Sequence, residues 1–453
     1  MSRADTICAI STPAGVGGIA VVRLSGADAK KLAEGVLRKA TGRPLVLADH
    51  RAMLAHLMDG DGLLDEVVAT FYAAPHSYSG EDTVEIACHG SLYIQQQVLT
   101  LFVRCGARLA EPGEFTLRAF LNGRMDLSQA EAVADLIDSQ SQMAHRLAVS
   151  QMRGGYAQEL EALRQQLIDL AALMELELDF SEEDLEFANR QRLNDTVDEL
   201  TTRVRQLTDS YKAGNAFKRG IPVAIVGRPN AGKSSLLNSL LAEERAIVSD
   251  IPGTTRDTIE ETMTIDGYTF RFIDTAGLRQ SDDPIESMGF DRAIKAAQQA
   301  HIILFTRDIT IPFDEKAHAD IDAIADKCEM SDKHLLIVHN KCDKGTTDHP
   351  EGYVVSAKCN IGIDTLKQAL ASLAAQEAQQ NEGILVTNLR HYEAMQKVLA
   401  ALNEVKQGLA AGLTPDLVTI DIRDALYHLG TITGKISNNE ILSSIFSRFC
   451  IGK

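Results

Sequence analysis

The stretch Gly227-Arg-Pro-Asn-Ala-Gly-Lys-Ser234 decides the fold of the middle of this chain. An apolar run at 223–226 precedes it and three leucines within 236–240 follow it, so the stretch joins a strand to a helix. Glycines let backbone N–H groups approach phosphate at a helix start, Lys233 offsets phosphate charge, and the Ser234 hydroxyl can bind Mg²⁺. The stretch therefore predicts a nucleotide-binding α/β domain, with Lys233 also a candidate catalytic residue. The candidate ligands here are Asn230, Ala231, Gly232, Lys233, Ser234 and Ser235.

Two later motifs predict which base is bound. Asn340-Lys-Cys-Asp343 follows a strand-like run at 335–338, and Ser356-Ala-Lys358 follows another at 353–355. The Asp343 carboxylate can accept hydrogen bonds from N1–H and the exocyclic amine of guanine, and adenine offers no such donor pair. A wrong base would leave that charge unpaired, so the motifs predict GTP over ATP. The candidate base-site residues are Asn340, Lys341, Asp343, Ser356, Ala357 and Lys358.

A further motif, Asp274-Thr-Ala-Gly277, follows the apolar-rich run 268–273. This placement puts Asp274 at a strand end, where a carboxylate can hold Mg²⁺ through water. The next residue is Leu278, whose apolar side chain cannot orient an attacking water, so another group must do so. The candidate nucleotide contacts in this motif are Asp274, Thr275, Ala276 and Gly277.

The whole chain has the composition of a folded protein with several domains. Its 453 residues suggest about three domains, at roughly 150 residues each. The formal net charge of -18 argues against binding nucleic acid by overall attraction, so an RNA partner requires a local patch or a basic second protein. The seven cysteines form no CxxC pair, which predicts free thiols. No apolar stretch approaches the ~18 residues that span a bilayer, so we expect a cytosolic protein without membrane contact.

Changes in periodicity along the chain predict four segments. Residues 1–120 mix short alternating strands with Gly and Pro, 121–219 are helical, 220–379 alternate strands with helices, and 380–453 are helical again. Because the ends of a compact domain often lie close together, the two helical segments are expected to form one bundle around an inserted α/β unit. The predicted fold class is therefore multidomain α/β plus α+β, with a mixed, mainly parallel sheet in the inserted domain.

The motifs, together with Gly253-Thr-Thr-Arg-Asp257, resemble those of the translation-factor-related GTPases. Over nearly the whole chain the sequence is also similar to the tRNA uridine-modifying GTPases called MnmE or TrmE. This wider resemblance rests on stretches outside the nucleotide motifs, namely 17–26, 78–82, 88–90, 112–115, 119–126 and 450–453.

The resemblance implies how GTP would be hydrolysed. It makes Thr255 a Mg²⁺ ligand beside Ser234, and Glu286 the catalytic residue that positions water. Read without the resemblance, Glu286 is an ordinary acid at a helix start. The family's K⁺ site corresponds to Asn230, Ser249, Ile251 and Thr254, with Ser249 standing where the family usually has Thr. Of these, Ser249, Thr254 and Thr255 are also expected to contact GTP.

The resemblance further implies a folate-binding N-terminal domain that forms a homodimer. A tetrahydrofolate derivative (5-formyl- or methylene-tetrahydrofolate) would contact Arg23, Glu85, Arg124 and Lys453, and Cys450 would be a candidate catalytic thiol. An FAD-dependent partner of the GidA or MnmG type, which carries the FAD itself, would complete a heterotetramer. The two proteins would add an aminomethyl or carboxymethylaminomethyl group at C5 of the wobble uridine, position 34, of certain tRNAs.

Other interpretations of the residues stay open. Without the resemblance, the charged folate candidates are better explained as surface salt bridges, and Cys450 as an incidental cysteine. A regulatory GTPase switch in ribosome assembly would carry the same nucleotide motifs, bind rRNA and have no use for folate. A folate-dependent one-carbon enzyme with a merely regulatory GTP-binding domain would turn over without GTP.

Overall fold

A computed structural model describes most of the chain and divides it into two compact units. The residues described are 5–179, 188–242, 261–273, 286–346, 351–381, 383–447 and 449–453. Unit 1 comprises 1–134, 150–193 and 404–453, and unit 2 comprises 135–149 and 194–403. None of the helices in these described ranges is long and apolar enough to cross a membrane.

Unit 1 contains a seven-stranded sheet in the order β3-β4-β5-β6-β2-β1-β7. Its described pairings are antiparallel except that of β1 with β7. Alternate residues of β2 and β6, such as Val22 and Ile86, are buried with Phe102 of α2, so one face of the sheet forms the core. The strands are β1 (Ile7–Ile10), β2 (Ile19–Ser25), β3 (Leu37–Arg38), β4 (Ala52–Asp59), β5 (Gly62–Tyr72), β6 (Thr83–His89) and β7 (Arg108–Leu109), and the first three helices are α1 (Ala29–Val36), α2 (Leu92–Arg104) and α3 (Glu114–Leu121).

Long helices follow. They are α4 (Leu127–Asp138), α5 (Gln142–Met152), α6 (Gly155–Asp179), α7 (Ala188–Asp209) and α8 (Tyr211–Arg219). In α6, apolar residues recur every three or four positions, and this face packs on the distant helix α14 (Pro415–Thr433). The buried residues of α6 on this face are Leu160, Leu163, Leu167, Leu170 and Met174.

The last helix of unit 1 packs against α3 and α4. Phe446 and Phe449 are buried with Leu127 in one apolar cluster. Gly113 has a φ of +69°, and a Cβ there would lie 2.6 Å from the Phe446 carbonyl oxygen, so only glycine allows the two segments to approach this closely. This contact brings the residues that follow Phe446 to the N-terminal sheet.

Unit 2 contains a six-stranded sheet in the order β13-β12-β11-β8-β10-β9. Its described pairings are parallel apart from the β9–β10 hairpin. Strands β8 and β11 are apolar and almost wholly buried, as expected for strands covered on both faces. The strands are β8 (Ile221–Val226), β9 (Glu261–Ile265), β10 (Tyr268–Phe272), β11 (Ile302–Asp308), β12 (His334–Asn340) and β13 (Tyr353–Val354).

The remaining helices belong to unit 2 up to residue 403 and to unit 1 from residue 404 onward. They are α9 (Lys233–Leu241), α10 (Glu286–Gln299), α11 (Glu315–Lys327), α12 (Ile363–Gln380), α13 (Leu389–Ala410), α14 (Pro415–Thr433) and α15 (Asn439–Phe446), with a short 3₁₀ helix at Met330–Asp332. The predicted fold class, with an α+β N-terminal part, helices and a mainly parallel α/β part, is confirmed. The exact domain limits given in the sequence analysis stay predictions.

Candidate functional site

The phosphate loop lies between β8 and α9, at the carboxyl end of the parallel strands, where α/β sheets bind ligands. Gly232 caps the start of α9 with a φ of +90°, and a Cβ there would collide with the Asn340 side-chain amide. At Gly227 a Cβ would collide with the Thr306 carbonyl oxygen of β11. Glycine is thus required at both positions, and the loop packs closely against the ends of β11 and β12.

Lys233 reaches back over this loop. Its Nζ donates to the carbonyl oxygens of Gly227 at 2.8 Å and Arg228 at 2.9 Å. Burial lowers the pKa of Lys233, because the ammonium has lost water without gaining an anion. A phosphate placed beside it would supply that anion, so the residue fits a nucleotide. Ser234 and Ser235 follow as the second and third residues of α9, in the helical turn that faces a bound phosphate.

Asn340, at the end of β12, joins three motifs through one side chain that is only 2% exposed. Its Nδ2 donates to the Ala231 carbonyl oxygen of the phosphate loop at 3.0 Å. Its Oδ1 accepts from the backbone N–H of Lys341 at 2.8 Å and of Ala357 at 3.0 Å. The phosphate loop and both base-binding loops are therefore fixed relative to one another by this residue.

Lys341 adds a second link to the phosphate loop. Its backbone has a φ of +70°, and its Nζ donates to the Asn230 carbonyl oxygen at 2.7 Å and to Asp308 at 2.6 Å. Burial works to raise the pKa of Asp308, but hydrogen bonds from Lys341 and Thr310 outweigh it and hold the pKa below its usual value. Asp308 was not predicted from the sequence, in which its one signal is its position at the end of β11.

The Asp343 carboxylate is exposed on the same side of the sheet. It accepts a 2.6 Å hydrogen bond from Ser356 Oγ, and this bond lowers the pKa of Asp343, with a smaller contribution from Lys358. A carboxylate has about four acceptor positions, so the ionised group can still accept two N–H donors from guanine. The predicted residues that the structure brings together here are Asn230, Ala231, Gly232, Lys233, Asn340, Lys341, Asp343, Ser356, Ala357 and Lys358.

Several predicted residues lie outside the described part of the chain. They are Ser249, Ile251, Thr254, Thr255, Asp274, Thr275, Ala276 and Gly277. Glu286 is the first residue of α10, and its backbone alone is described. The K⁺ ligands and the water-positioning role thus stay predictions.

A second group of predicted residues lies on the N-terminal sheet of unit 1. Arg23 on β2 stands directly opposite Glu85 on β6, and their side chains pair with nitrogen–oxygen distances of 2.8 and 2.9 Å. The Arg23 guanidinium also lies 5.0 Å from the centre of the Tyr78 ring and 5.5 Å from that of Phe115. Aromatic faces attract the cation, so its position is set from two sides.

The chain's last residues dock beside this pair. The Ser11 hydroxyl donates to the Gly452 carbonyl oxygen at 3.0 Å, and a Cβ at Gly452 would collide with the Ile10 carbonyl oxygen. Burial and the neighbouring Arg23 lower the pKa of Lys453, while Cys450 acts in the opposite direction. The structure therefore brings Arg23, Glu85, exposed Cys450 and Lys453 into one neighbourhood.

Arg124 contacts the segment that also carries Tyr78. Its side chain lies against Gly80, where a Cβ would come within 3.1 Å of the Arg124 Cγ. The loops around α3 also carry a charge network, buried at Arg118 and Glu114, that was not predicted from the sequence. It is centred on Arg118, which bonds to Asp5, Glu81 and Glu114, with Arg108 joining Asp5 and Glu114. These residues have no regular spacing that a motif could reveal.

A phosphate loop after β8, tied through Asn340 to the loop that carries the Asp343 carboxylate after β12, on a mainly parallel sheet, is the arrangement of a P-loop GTPase. Family models agree with this class. One described as "MnmE helical domain" matches residues 127–450, and one described as "GTP-binding protein TrmE N-terminus" matches residues 6–124.

Curated relatives match the chain from end to end. A protein of Christiangramia forsetii named tRNA modification GTPase MnmE is 46% identical over 474 residues, covering 100% of both chains. One of Parabacteroides distasonis with the same name is 47% identical over 463 residues, covering 99% of this chain and 100% of its own. The chain therefore belongs to the MnmE family of tRNA modification GTPases.

Among solved structures, the G domain of the T. maritima FeoB iron transporter is 21% identical and covers 34% of this chain and 98% of its own. Its TM-score is 0.25, so the family assignment does not rest on this likeness.

Proposed function

We propose that the chain uses GTP to drive modification of the wobble uridine, position 34, of certain tRNAs. With an FAD-dependent partner of the GidA or MnmG type, it adds an aminomethyl or carboxymethylaminomethyl group at C5. A tetrahydrofolate derivative, such as the methylene or 5-formyl form, supplies the carbon. The observation that carries the proposal is the docking of Cys450 and Lys453 beside the Arg23–Glu85 pair, in a chain that also has a guanine-reading site.

The GTP-binding side of the proposal follows from the phosphate loop. Lys233 and the N–H groups at the start of α9 hold the phosphates, and Asp343 reads the base. Mg²⁺ and K⁺ supply positive charge against the charge that develops on the γ-phosphate. Glu286 orients the water, because Leu278 cannot. Ser234 and Thr255 hold Mg²⁺, and Asn230, Ser249, Ile251 and Thr254 hold K⁺.

The folate side follows from charge. Burial first, and the nearby Arg23 guanidinium second, disfavour the charge on Lys453 and lower its pKa. An anionic ligand favours that charge, and the glutamate tail of a folate carries carboxylates. Glu85 pairs with Arg23 and can accept from the pterin edge. The exposed Cys450 thiol stands next to this group as the candidate nucleophile.

The remaining parts of the proposal are organisational. The chain forms a homodimer through the folate-binding segment 1–120, and 121–219 with 380–453 form the helical domain around the G domain, 220–379. The complex with the FAD-dependent partner is a cytoplasmic heterotetramer. A basic partner would also meet the requirement that an acidic chain needs help to hold RNA.

The test is a reconstituted reaction followed by nucleoside analysis of the tRNA. The chain, the FAD-dependent partner, methylene-tetrahydrofolate, GTP and unmodified tRNA should yield C5-modified uridine 34. Gly452→Ala should lower the product at least tenfold, because the added Cβ displaces the docked residues, while GTP hydrolysis stays within twofold. Gly42→Ala is the matched control, since Gly42 also has a positive φ but its Cβ would meet nothing within 4 Å. GTP turnover without any uridine product in the complete reaction would overturn the proposal.

A further inference from the structure

The turn between β9 and β10 caps the start of α5. The N–H of Met143 donates to the Gly267 carbonyl oxygen at 3.1 Å. The first N–H groups of a helix have no partner within the helix, and the first backbone bond of α5 runs from His145 to Ser141. The Gly267 carbonyl therefore satisfies a donor that the helix itself leaves open.

The backbone at Gly267 lies unusually close to the Gln142 side chain. Gly267 has a φ of +84°, and a Cβ there would lie 2.8 Å from Gln142 Oε1 and 3.0 Å from Gln142 Cβ. Met143 and Leu147 of the same helix also pack against the core cluster of the nucleotide-binding sheet, along with Tyr268 of the hairpin. A hydrogen bond, a close backbone approach and apolar packing thus hold the turn on the helix.

The hairpin is joined to the two stretches that the sequence predicts to contact the nucleotide. Strand β9 begins at Glu261, shortly after the 253–257 motif, and β10 leads through Ile273 into the 274–277 motif. Its second strand also pairs in register with β8, which runs into the phosphate loop. Segments in these positions change arrangement when the γ-phosphate is bound or lost in switch GTPases. A shift at either end of the hairpin reaches the turn along paired strands.

The helix on the other side of this contact, α5, continues along the chain beyond unit 2. Helix α5 begins in unit 2, which includes 135–149, and continues at residue 150 into unit 1. Beside the contact is a cavity of about 390 Å³, lined by Thr262, Thr269 and Arg271 of the hairpin and by Ser141 and Ala144 at the start of α5. Its polar lining suits water, so packed side chains do not close this side of the contact.

We propose that the contact of Gly267 with Gln142 and Met143 transmits the nucleotide state of the G domain to α5. The three residues are positioning residues, since they touch neither nucleotide nor folate. The inference rests on the proposed function for its input, GTP, and it names the place where that input leaves the nucleotide-binding unit.

The first experiment follows hydrogen exchange in the full chain, in K⁺ buffer, with GDP or with a non-hydrolysable GTP analogue. Peptides covering residues 139–147 should change exchange rate at least threefold between the two nucleotides, because the Met143 N–H is bonded directly to the turn. A peptide from α2, in the N-terminal sheet domain, serves as the internal reference. Equal exchange at 139–147 in both states would overturn the proposal.

The second experiment breaks the contact. Gly267→Ala should abolish the nucleotide dependence at 139–147 and lower modified uridine per GTP hydrolysed about tenfold, and adding Gln142→Ala should restore part of both by making room for the new methyl group. Gly60→Ala is the matched control, because Gly60 is a hairpin glycine with a φ of +61° whose Cβ would meet nothing within 4 Å. Wild-type product per GTP in Gly267→Ala would refute transmission through this contact. If the wild-type chain hydrolyses no GTP, the proposed function fails and the present proposal does not. The exchange experiment then shows whether the bound nucleotide still changes the exchange rate of α5. If Gly267→Ala does not fold, the wild-type exchange comparison decides.

Discussion

Replacing Asn340 by alanine should weaken GTP binding in a chain that still folds. The side chain makes three hydrogen bonds of 3.0 Å or less, one to the Ala231 carbonyl oxygen and two from the N–H groups of Lys341 and Ala357, besides a longer one of 3.5 Å to Gly232, and it is almost fully buried. A buried polar group that loses its partner costs about 1–3 kcal/mol. The lower figure for each of the three shorter bonds gives a total of about 3 kcal/mol.

In the variant these three loops separate when no nucleotide is bound, and nucleotide binding must bring them back together at this cost. At 1.4 kcal/mol per tenfold, GDP and GTP affinity should drop on the order of 100-fold. The assay is a fluorescence titration with a labelled guanine nucleotide, alongside urea unfolding of the nucleotide-free chain. Asn381→Ala is the control, because Asn381 lies in the same unit and its side-chain amide donates to the nearby Glu377 carbonyl of α12. An affinity loss below threefold in Asn340→Ala would refute the view that this residue joins the loops.

Three further predictions concern the same site. GTP hydrolysis by the wild type should be faster in K⁺ than in Na⁺ at equal ionic strength and lose that preference in Asn230→Ala; equal wild-type rates in both salts would remove the K⁺ mechanism. Asp343→Asn should weaken GTP binding at least 100-fold and favour xanthine nucleotides, whose O2 accepts where guanine donates, and competition binding measures the ratio; unchanged preference for guanine would show that Asp343 does not read the base. Because Lys341 holds the pKa of Asp308 low, the Asp308 carboxylate stabilises the fold above its unfolded pKa near 4, and that contribution is lost as pH falls through the lower folded value. Between pH 6 and pH 3, the free energy of unfolding measured with urea should therefore fall less in Asp308→Asn than in the wild type. An equal fall in both would contradict the role assigned to the pair of Asp308 and Lys341.

The nucleotide site could be predicted because its chemistry is local. The glycines and Lys233 of the phosphate loop act within eight residues, and each base motif is three or four residues long after a recognisable strand. What joins them could not be predicted, since the bond from Asn340 to Ala231 depends on the strand order β12-β11-β8. Asp308 was not predicted for the same reason. Its partner Lys341 follows β12, and only the strand order places β12 beside β11.

The N-terminal site shows the same division. Arg23 and Glu85 were singled out only through a family resemblance, because nothing within either strand says that the two stand opposite each other. The close approaches at Gly452 and Gly267 are likewise contacts between distant segments, to Ile10 and Gln142 respectively. A glycine in a sequence signals freedom of the backbone, but the atom that excludes a side chain becomes visible only in three dimensions.

The packing of α6 on α14 has a consequence for how the chain is made. All of α6 has been synthesised once the ribosome reaches residue 179, but the helix that covers its apolar face is not finished until residue 433. At about 5–20 residues per second, the ribosome needs on the order of ten to fifty seconds to produce that partner. The nucleotide-binding sheet, by contrast, lies wholly within the intervening stretch and can fold as soon as it emerges. Unit 2 therefore folds on the ribosome while one apolar face of α6 is still uncovered, which makes that face the natural point for a chaperone to bind and for aggregation to start when synthesis stalls.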